Sequence, residues 1–361
     1  MDRIYPVMQI EVIQHVLKFR FQAGTSRGVL REKDSYFIKL TDGRDASRIG
    51  IGECGPLPGL SPDLDGNLIG AFSELINYGA SINHLELKDV ELAVPAECPA
   101  LRFALETALL DWQFGGKRLI FDNGFFHNSM SIPINGLVWM GDKSTMLQRI
   151  EEKLDAGYDC IKIKVGAIAH EDELDLLKFI RSRFADTDIT IRLDANGAFD
   201  ERNAMEMLDD FARFHIHSME QPVMAGNLEL IAKVCRDSPI PIALDEELIG
   251  IHGSSNKQAL LDFIRPAYIV LKPTLHGGCA SCADWINIAV KRSIGWWLTS
   301  ALESNIGLNA IAQFAAGYSV SMPQGLGTGQ LFYDNIPSPL QIHQGRLSYS
   351  PDNTWDLSLL I

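Results

Sequence analysis

Between residues 130 and 327 the spacing of apolar positions switches repeatedly between two periods. Short β-rich runs (MSIPINGLVW, CIKIKVG, TIRLDANGAF, HSMEQPV, PIALDEEL, AYIVLKPT, GWWLTSALES and SVSMPQGLG) alternate with helical stretches. In DERNAMEMLDDFARF, for example, Ala204, Met207, Leu208 and Phe211 fall at i, i+3, i+4 and i+7, the stripe of an amphipathic helix. Strand and helix alternating at this unit length predict a parallel sheet. Eight such units is the number that closes a barrel. The rival, an open doubly wound sheet, calls for a glycine-rich phosphate turn after an early strand, and the chain has none.

The first 125 residues have another texture. MQIEVIQHVLKFRF and DSYFIKLTDG read as strands, and SRIGIGECGPLPGLSPD reads as a Gly/Pro-rich loop. In PALRFALETALLDWQF, Leu101, Leu105, Ala108, Leu109 and Trp112 lie at helical spacing, with Pro99 suited to the helix start. The expected organisation is therefore an α+β module over 1–125, an α/β barrel of (β/α)8 type over 126–330 and a C-terminal segment over 331–361.

Composition narrows the class. The chain has 361 residues, 46% hydrophobic and 22% charged, as expected of a globular protein. A formal net charge of −14 argues against nucleic acid as the partner. It does not exclude an anionic small molecule, because a bound metal and a few lysines reverse the local field. MDRIYPVMQIEV shows no basic segment followed by an apolar core, and no window of about 18 apolar residues occurs, so neither a signal peptide nor a membrane span is expected. A cytoplasmic location is expected. The six scattered cysteines do not read as a disulfide framework. Cys279 and Cys282 form a CxxC without a second pair, and are expected to be packing residues.

The polar residues within the strands carry the chemistry. Lys162 and Lys164 alternate with isoleucines, so both ammonium groups leave the same face of a strand. Arg192, Asp194 and Asn196 repeat that spacing on the next strand. Glu220, Asp245, Lys272 and Ser300 follow at intervals of about 25–30 residues, one βα unit each. Equal phase on successive staves predicts convergence at the C-terminal mouth of a barrel. Two lysines on one strand are tolerable if Asp194, Glu220 and Asp245 face them across a shared cavity, since an isolated buried charge costs several kcal/mol or more. Three carboxylates from separate strands, with no His or Cys among them, suit Mg²⁺ rather than zinc. Glu246, beside Asp245, is expected to point to the other face. His276 reads as ordinary loop polarity.

With KIK, DANGAF, EQP, LDEE and LKP in this order, the chain resembles the enolase superfamily, and within it the muconate-lactonizing subgroup. The resemblance extends over nearly the whole length, including GIGECGPLPG and ALETALLDW in the amino-terminal module. It implies a modified barrel with an α+β capping domain, to which residues 331–361 return. It also implies that Asp194, Glu220 and Asp245 are ligands of Mg²⁺, with Mn²⁺ a compatible substitute. Lys164 would be the base, Lys162 its support, and Lys272 would stand on the opposite side of the substrate. The implied chemistry removes a proton α to a carboxylate. Neighbouring positive charge and burial favour the neutral amine that such a base requires.

Several branches share this constellation. Mandelate-racemase-like members have a strand-seven His, which GWWLTSALES lacks. Dipeptide epimerases have an Asp-x-Asp on strand eight, which SMPQGLGTG lacks. IRLDANGAF, LTSALESNIGL and GLGTGQLFYD favour the dehydratase branch of menaquinone biosynthesis, with N-succinylamino acid racemases, dipeptide epimerases and muconate cycloisomerases as alternatives. The expected partner is a small-molecule dicarboxylate, with no nucleic acid and no membrane; a homo-oligomer is compatible with the sequence. Arg192, Thr299 and Ser300 are the expected substrate contacts, together with the segment Ala23 to Gly28 and Ser304.

Overall fold

The computed structural model describes residues 8–25, 28–42, 45–82 and 85–360. β1 (Gln9–Thr25), β2 (Gly28–Asp42) and β3 (Asp45–Cys54) form an antiparallel sheet in the order β1-β2-β3. The sheet is covered by the helix Pro99–Gln113, whose Leu101, Leu105, Ala108 and Leu109 are fully buried against it. Pro99 opens that helix, and the buried Asp63 carboxylate accepts from the backbone N–H groups of Ala100 and Leu101.

β3 occupies the first half of the stretch read as a loop. Its glycines explain the misreading. A Cβ on Gly52 would lie 1.9 Å from the Ala104 carbonyl oxygen, and one on Gly50 2.3 Å from that of Ala108. The glycines bring strand and helix into contact and do not mark a turn.

After the short strand β4 (Ile132–Pro133), seven parallel strands follow: β5 (Gly136–Val138), β6 (Cys160–Lys164), β7 (Thr190–Asp194), β8 (Ser218–Glu220), β9 (Ile242–Leu244), β10 (Tyr268–Leu271) and β11 (Gly295–Leu298). They are paired in chain order. The eighth stave, expected in SVSMPQGLG, is reduced to two bridged residues. Gln324 pairs with Ile134 and Gly325 with Thr299, so the segment joins both edges of the sheet. Pro323 has no N–H to donate to a ladder. Instead, the Gln324 side chain accepts from the Leu298 N–H at 2.7 Å. A Cβ on Gly325 would lie 2.3 Å from Thr299 Oγ1, so glycine permits this close approach.

β12 (Leu340–His343) and β13 (Arg346–Tyr349) form a hairpin that pairs with β4. On either side of it, Phe332 bridges to Phe19 of β1, and Ile336 and Leu360 pack on Phe37 and Ile51 of the first sheet. Among the described residues, no helix is long and apolar enough to cross a membrane. All six cysteines are free, and Cys279 and Cys282 are buried in the core.

Two buried polar joints tie the cap to the barrel. In one, the Lys33 ammonium of β2 donates to the Leu302 carbonyl at 3.0 Å, while Glu53 of β3 accepts from the N–H groups of Ser304 and Gly307 at the start of the helix Asn305–Ala316. In the other, Glu106 of the cap helix accepts from the N–H groups of Cys279 and Ala280, at 2.6 and 2.9 Å, and so caps the helix Cys279–Val290. Burial raises the Glu106 carboxyl from its usual 4.5 to about 7, against the lowering effect of those two donors. A carboxyl that holds its proton more tightly folded than unfolded removes stability as pH rises. The loss begins near pH 4.5 and is complete above about pH 7. Urea unfolding at pH 5 and pH 8 is therefore expected to show a smaller drop for Glu106→Gln than for the wild type. Equal drops would contradict this account of the joint.

Candidate active site

The strand register aligns the charged residues laterally. Lys162 lies opposite Arg192, Lys164 opposite Asp194, and Asp194 opposite Glu220. Glu220 pairs with Ala243, and Asp245 follows two residues later, in phase with it. The residues therefore form a row at the C-terminal ends of the strands. β6 and β10 are four staves apart, so Lys164 and Lys272 reach the mouth from opposite walls.

The row is tightly paired. Lys162 Nζ is 2.8 Å from Asp194 Oδ2 and 2.6 Å from Glu220 Oε1, so one ammonium bridges two carboxylates. Lys164 Nζ lies 2.6 Å from Asp194 Oδ2 and 2.6 Å from Asn196 Oδ1. Lys272 donates to Asp245 Oδ2. Burial disfavours the charges of Lys162, Lys272, Asp194 and Asp245, but their ion pairs outweigh it. The Lys162 and Lys272 ammonium groups are held above the ordinary lysine value, and the Asp194 and Asp245 carboxyls below the ordinary aspartate value. Glu220 is the exception. Burial, then the charge of Asp194, pushes it up to about 8.

The free valences of this row bear on a cation-binding role. Among the described residues, no three His, Cys, Asp or Glu side chains form a ready metal-binding group. The lysines account for this, because each carboxylate turns one oxygen to an ammonium. Of the remaining oxygens, Asp194 Oδ1 accepts from the Asn196 N–H at 3.0 Å, whereas Glu220 Oε2 and Asp245 Oδ1 are buried with no hydrogen-bond partner among the described residues. Two unsatisfied carboxylate oxygens beside Asp194, with Glu220 resisting ionisation, are the donor set that a hard divalent cation completes. The residues present therefore fit such an ion.

The cavity above the row is lined by Lys162, Lys164 and Lys272, by Thr299 and Ser300, and by Asn196 and Glu246. Thr299, Thr328 and Asn135 are also at its wall, and among the described residues Thr299 Oγ1, Thr328 Oγ1 and Asn135 Oδ1 are buried without a hydrogen-bond partner. Ser300 is committed to Glu303, which also accepts from Thr274. Ser304 is turned to the cap and donates to Glu53. Of the segment Ala23 to Gly28, residues 26 and 27 lie outside the described residues, as do the side chains of Gln22 to Thr25.

Two expectations need correction. Arg192 does not line the cavity. It has the phase of Asp194 but lies two residues deeper in the barrel, where its guanidinium donates to the Pro323 carbonyl at 2.8 Å and covers the Trp297 ring at 4.1 Å. Glu246 does not point away. β9 has ended at Leu244 and a 3-10 turn begins at Glu246, so strand alternation no longer applies. Its Oε1 accepts from Asn196 Nδ2 at 3.0 Å inside the site.

Several wall residues carry no signal in the sequence. Asn135, Leu137 and Trp139 face the cavity from the first stave. Their spacing of two is that of a strand face, but uncharged side chains at such positions do not mark a site. Leu57 and Leu60 arrive from the cap loop, and nothing local in the sequence signals this.

A model of the enolase C-terminal domain-like family matches residues 145–352. The chain is 43% identical to an o-succinylbenzoate synthase of Desulfotalea psychrophila over 95% of its own length and 99% of the relative's. Its structure is similar to the crystal structure of MenC from the same organism, with a TM-score of 0.84, 38% identity and coverage of 94% of this chain and 99% of that one. The fold is also that of a dipeptide epimerase from Enterococcus faecalis crystallised with Mg and the dipeptide L-Leu-L-Tyr, at a TM-score of 0.80 and 22% identity over 96% of this chain and 97% of that one.

Proposed function

The chain belongs to the enolase C-terminal domain-like family, and from that premise we propose that it carries out the o-succinylbenzoate synthase reaction. This is the Mg²⁺-dependent dehydration of 2-succinyl-6-hydroxy-2,4-cyclohexadiene-1-carboxylate to 2-succinylbenzoate. The observation that carries the reading is the pair of lysines, Lys164 and Lys272, on opposite walls of one cavity above a row of carboxylates. A cytoplasmic location and a place in menaquinone biosynthesis would accompany the reaction.

In this reading Asp194, Glu220 and Asp245 hold Mg²⁺, with Mn²⁺ as substitute. When bound, the cation would supply Lewis-acid stabilisation of the charge that develops as the α proton leaves. Electrostatics supports a divalent ion. Burial raises the Glu220 and Glu246 carboxyls, but with all four of Asp194, Glu220, Asp245 and Glu246 ionised, as a bound cation would favour, they oppose three lysines, and a neutral Lys164 would leave two negative charges in excess.

Lys164, as the neutral amine, takes the proton from the carbon α to the ring carboxylate. The ring bond to the hydroxyl oxygen breaks, and Lys164 returns the proton to the departing oxygen, giving water and an aromatic ring. Lys162 keeps Asp194 and Glu220 in place. Lys272, from the far wall, offsets negative charge on the ring. The unpartnered groups of Thr299, Thr328 and Asn135 are available to the succinyl tail.

The position of Lys272 also favours a second activity. An amine facing Lys164 can return a proton to the other face of a carbon acid, as racemisation of N-succinylamino acids requires. The deciding experiment is a direct assay of the purified protein with the cyclohexadiene dicarboxylate, before and after EDTA and after Mg²⁺ is restored. Dehydration that stops with EDTA and returns with Mg²⁺ is expected. Activity indifferent to EDTA would remove the cation from the reading. No dehydration, with rapid solvent exchange of N-succinylamino acids in D₂O, would replace the dehydratase by the racemase.

A further inference from the structure

His276 has no part in the chemistry above, yet it is fastened to a residue that does. Lys272 is the first residue beyond β10, and the register of β10 with β9 ends at Ile269. The N–H of Lys272 leaves the ladder and donates instead to His276 Nδ1 at 2.9 Å. The N–H groups of Leu275 and His276 in turn donate to the Lys272 carbonyl, at 2.8 and 3.0 Å. Lys272 is thus bound on both sides of its Cα by a single turn, Pro273–His276. Gly278 and the Glu106-capped helix then fix that turn to the cap.

The ring chemistry argues that this bond is more than packing. Burial lowers the His276 pKa to about 3, so the imidazole is neutral. A neutral ring that accepts at Nδ1 must carry its hydrogen on Nε2. That Nε2 is buried without a hydrogen-bond partner among the described residues. An unpaired buried N–H is a cost that leucine or methionine would avoid, so packing alone gives no reason for a histidine here. The Nδ1 bond gives one.

We propose that His276 is a positioning residue that sets the direction in which Lys272 leaves its strand, through the hydrogen bond its ring accepts from the Lys272 backbone. The proposal rests on the reading of Lys272 as a group of the active site. The asparagine Oδ1 can occupy the place of Nδ1, whereas the glutamine amide reaches to the place of Nε2. A displacement of about 1 Å of a catalytic group can cost about 100-fold in rate.

His276→Leu is therefore expected to lower kcat about 10- to 100-fold with KM changed less than about twofold, and His276→Asn to stay within about threefold of wild type. The midpoints of thermal unfolding should differ little, because leucine leaves the Lys272 N–H without its acceptor but also removes the unpaired Nε2–H. Equal losses in the leucine and asparagine variants, or a leucine variant with wild-type kcat, would overturn the proposal. If the leucine variant does not fold, the comparison of His276→Asn with His276→Gln decides, since both are amides and only asparagine restores the acceptor. Lys272→Ala is measured alongside. If it turns over at the wild-type rate, the reading of Lys272 has failed. If it is inactive while His276→Leu is not, only the role of His276 has.

Discussion

Replacing Lys164 by alanine is expected to lower dehydration by about 10³-fold or more while leaving the fold unchanged. The size of the loss follows from the task. A carbon acid α to a carboxylate holds its proton strongly, and a positioned base contributes about 10²–10⁴-fold by itself. Here the same amine would also return the proton to the leaving oxygen, so both transfers are lost together. The fold survives because Lys162 remains 2.8 Å from Asp194, so the buried Asp194 carboxylate keeps a cation. Lys164→Arg should not restore activity, since a guanidinium does not give up its proton at working pH. The check is kcat on the purified variants together with the midpoint of thermal unfolding. A Lys164→Ala protein within tenfold of wild-type turnover would dismiss this lysine as the base.

The second large effect is expected at Glu220, the middle carboxylate of the row. One of its oxygens accepts from Lys162 at 2.6 Å, and the other is buried with no hydrogen-bond partner. Glu220→Gln keeps the shape but removes the negative charge. The lost attraction for a divalent ion should weaken Mn²⁺ binding by about 100-fold or more and lower turnover by at least a similar factor, because Lewis-acid stabilisation is worth several kcal/mol. Mn²⁺ binding is measured by electron paramagnetic resonance, independently of activity. An unchanged Mn²⁺ affinity would mean that the ion, if the protein uses one, is held elsewhere. In the absence of the ion the variant should be at least as stable as wild type at neutral pH, because the carboxyl it replaces is one that burial and Asp194 make costly to ionise.

Some of this site can be read in the sequence because its geometry is periodic. Alternation along a strand places Lys162 and Lys164 on one face, and the βα repeat carries that face to Asp194, Glu220, Asp245 and Lys272. Both regularities are local, and a sheet with paired neighbours adds only lateral alignment. Arg192 marks the limit of such reasoning. Phase assigns a face but not a depth, and two residues along a strand separate the cavity wall from the Trp297 ring. Glu246 marks another, since alternation holds only while the strand continues.

The alternation of apolar runs, the charges in phase on successive units and the absence of His or Cys among them determine the parallel barrel and the identity of its charged mouth. These are short-range patterns, each written within one element or one repeat. Tertiary structure alone decides what surrounds them. The cap loop brings Leu57 and Leu60 to the cavity, Lys33 and Glu53 reach across from β2 and β3, and the hydroxyls of Thr299 and Thr328 come to the wall without a hydrogen-bond partner among the described residues. Such contacts join residues up to about 270 positions apart. They depend on how separately folded layers dock, and no local pattern encodes that docking.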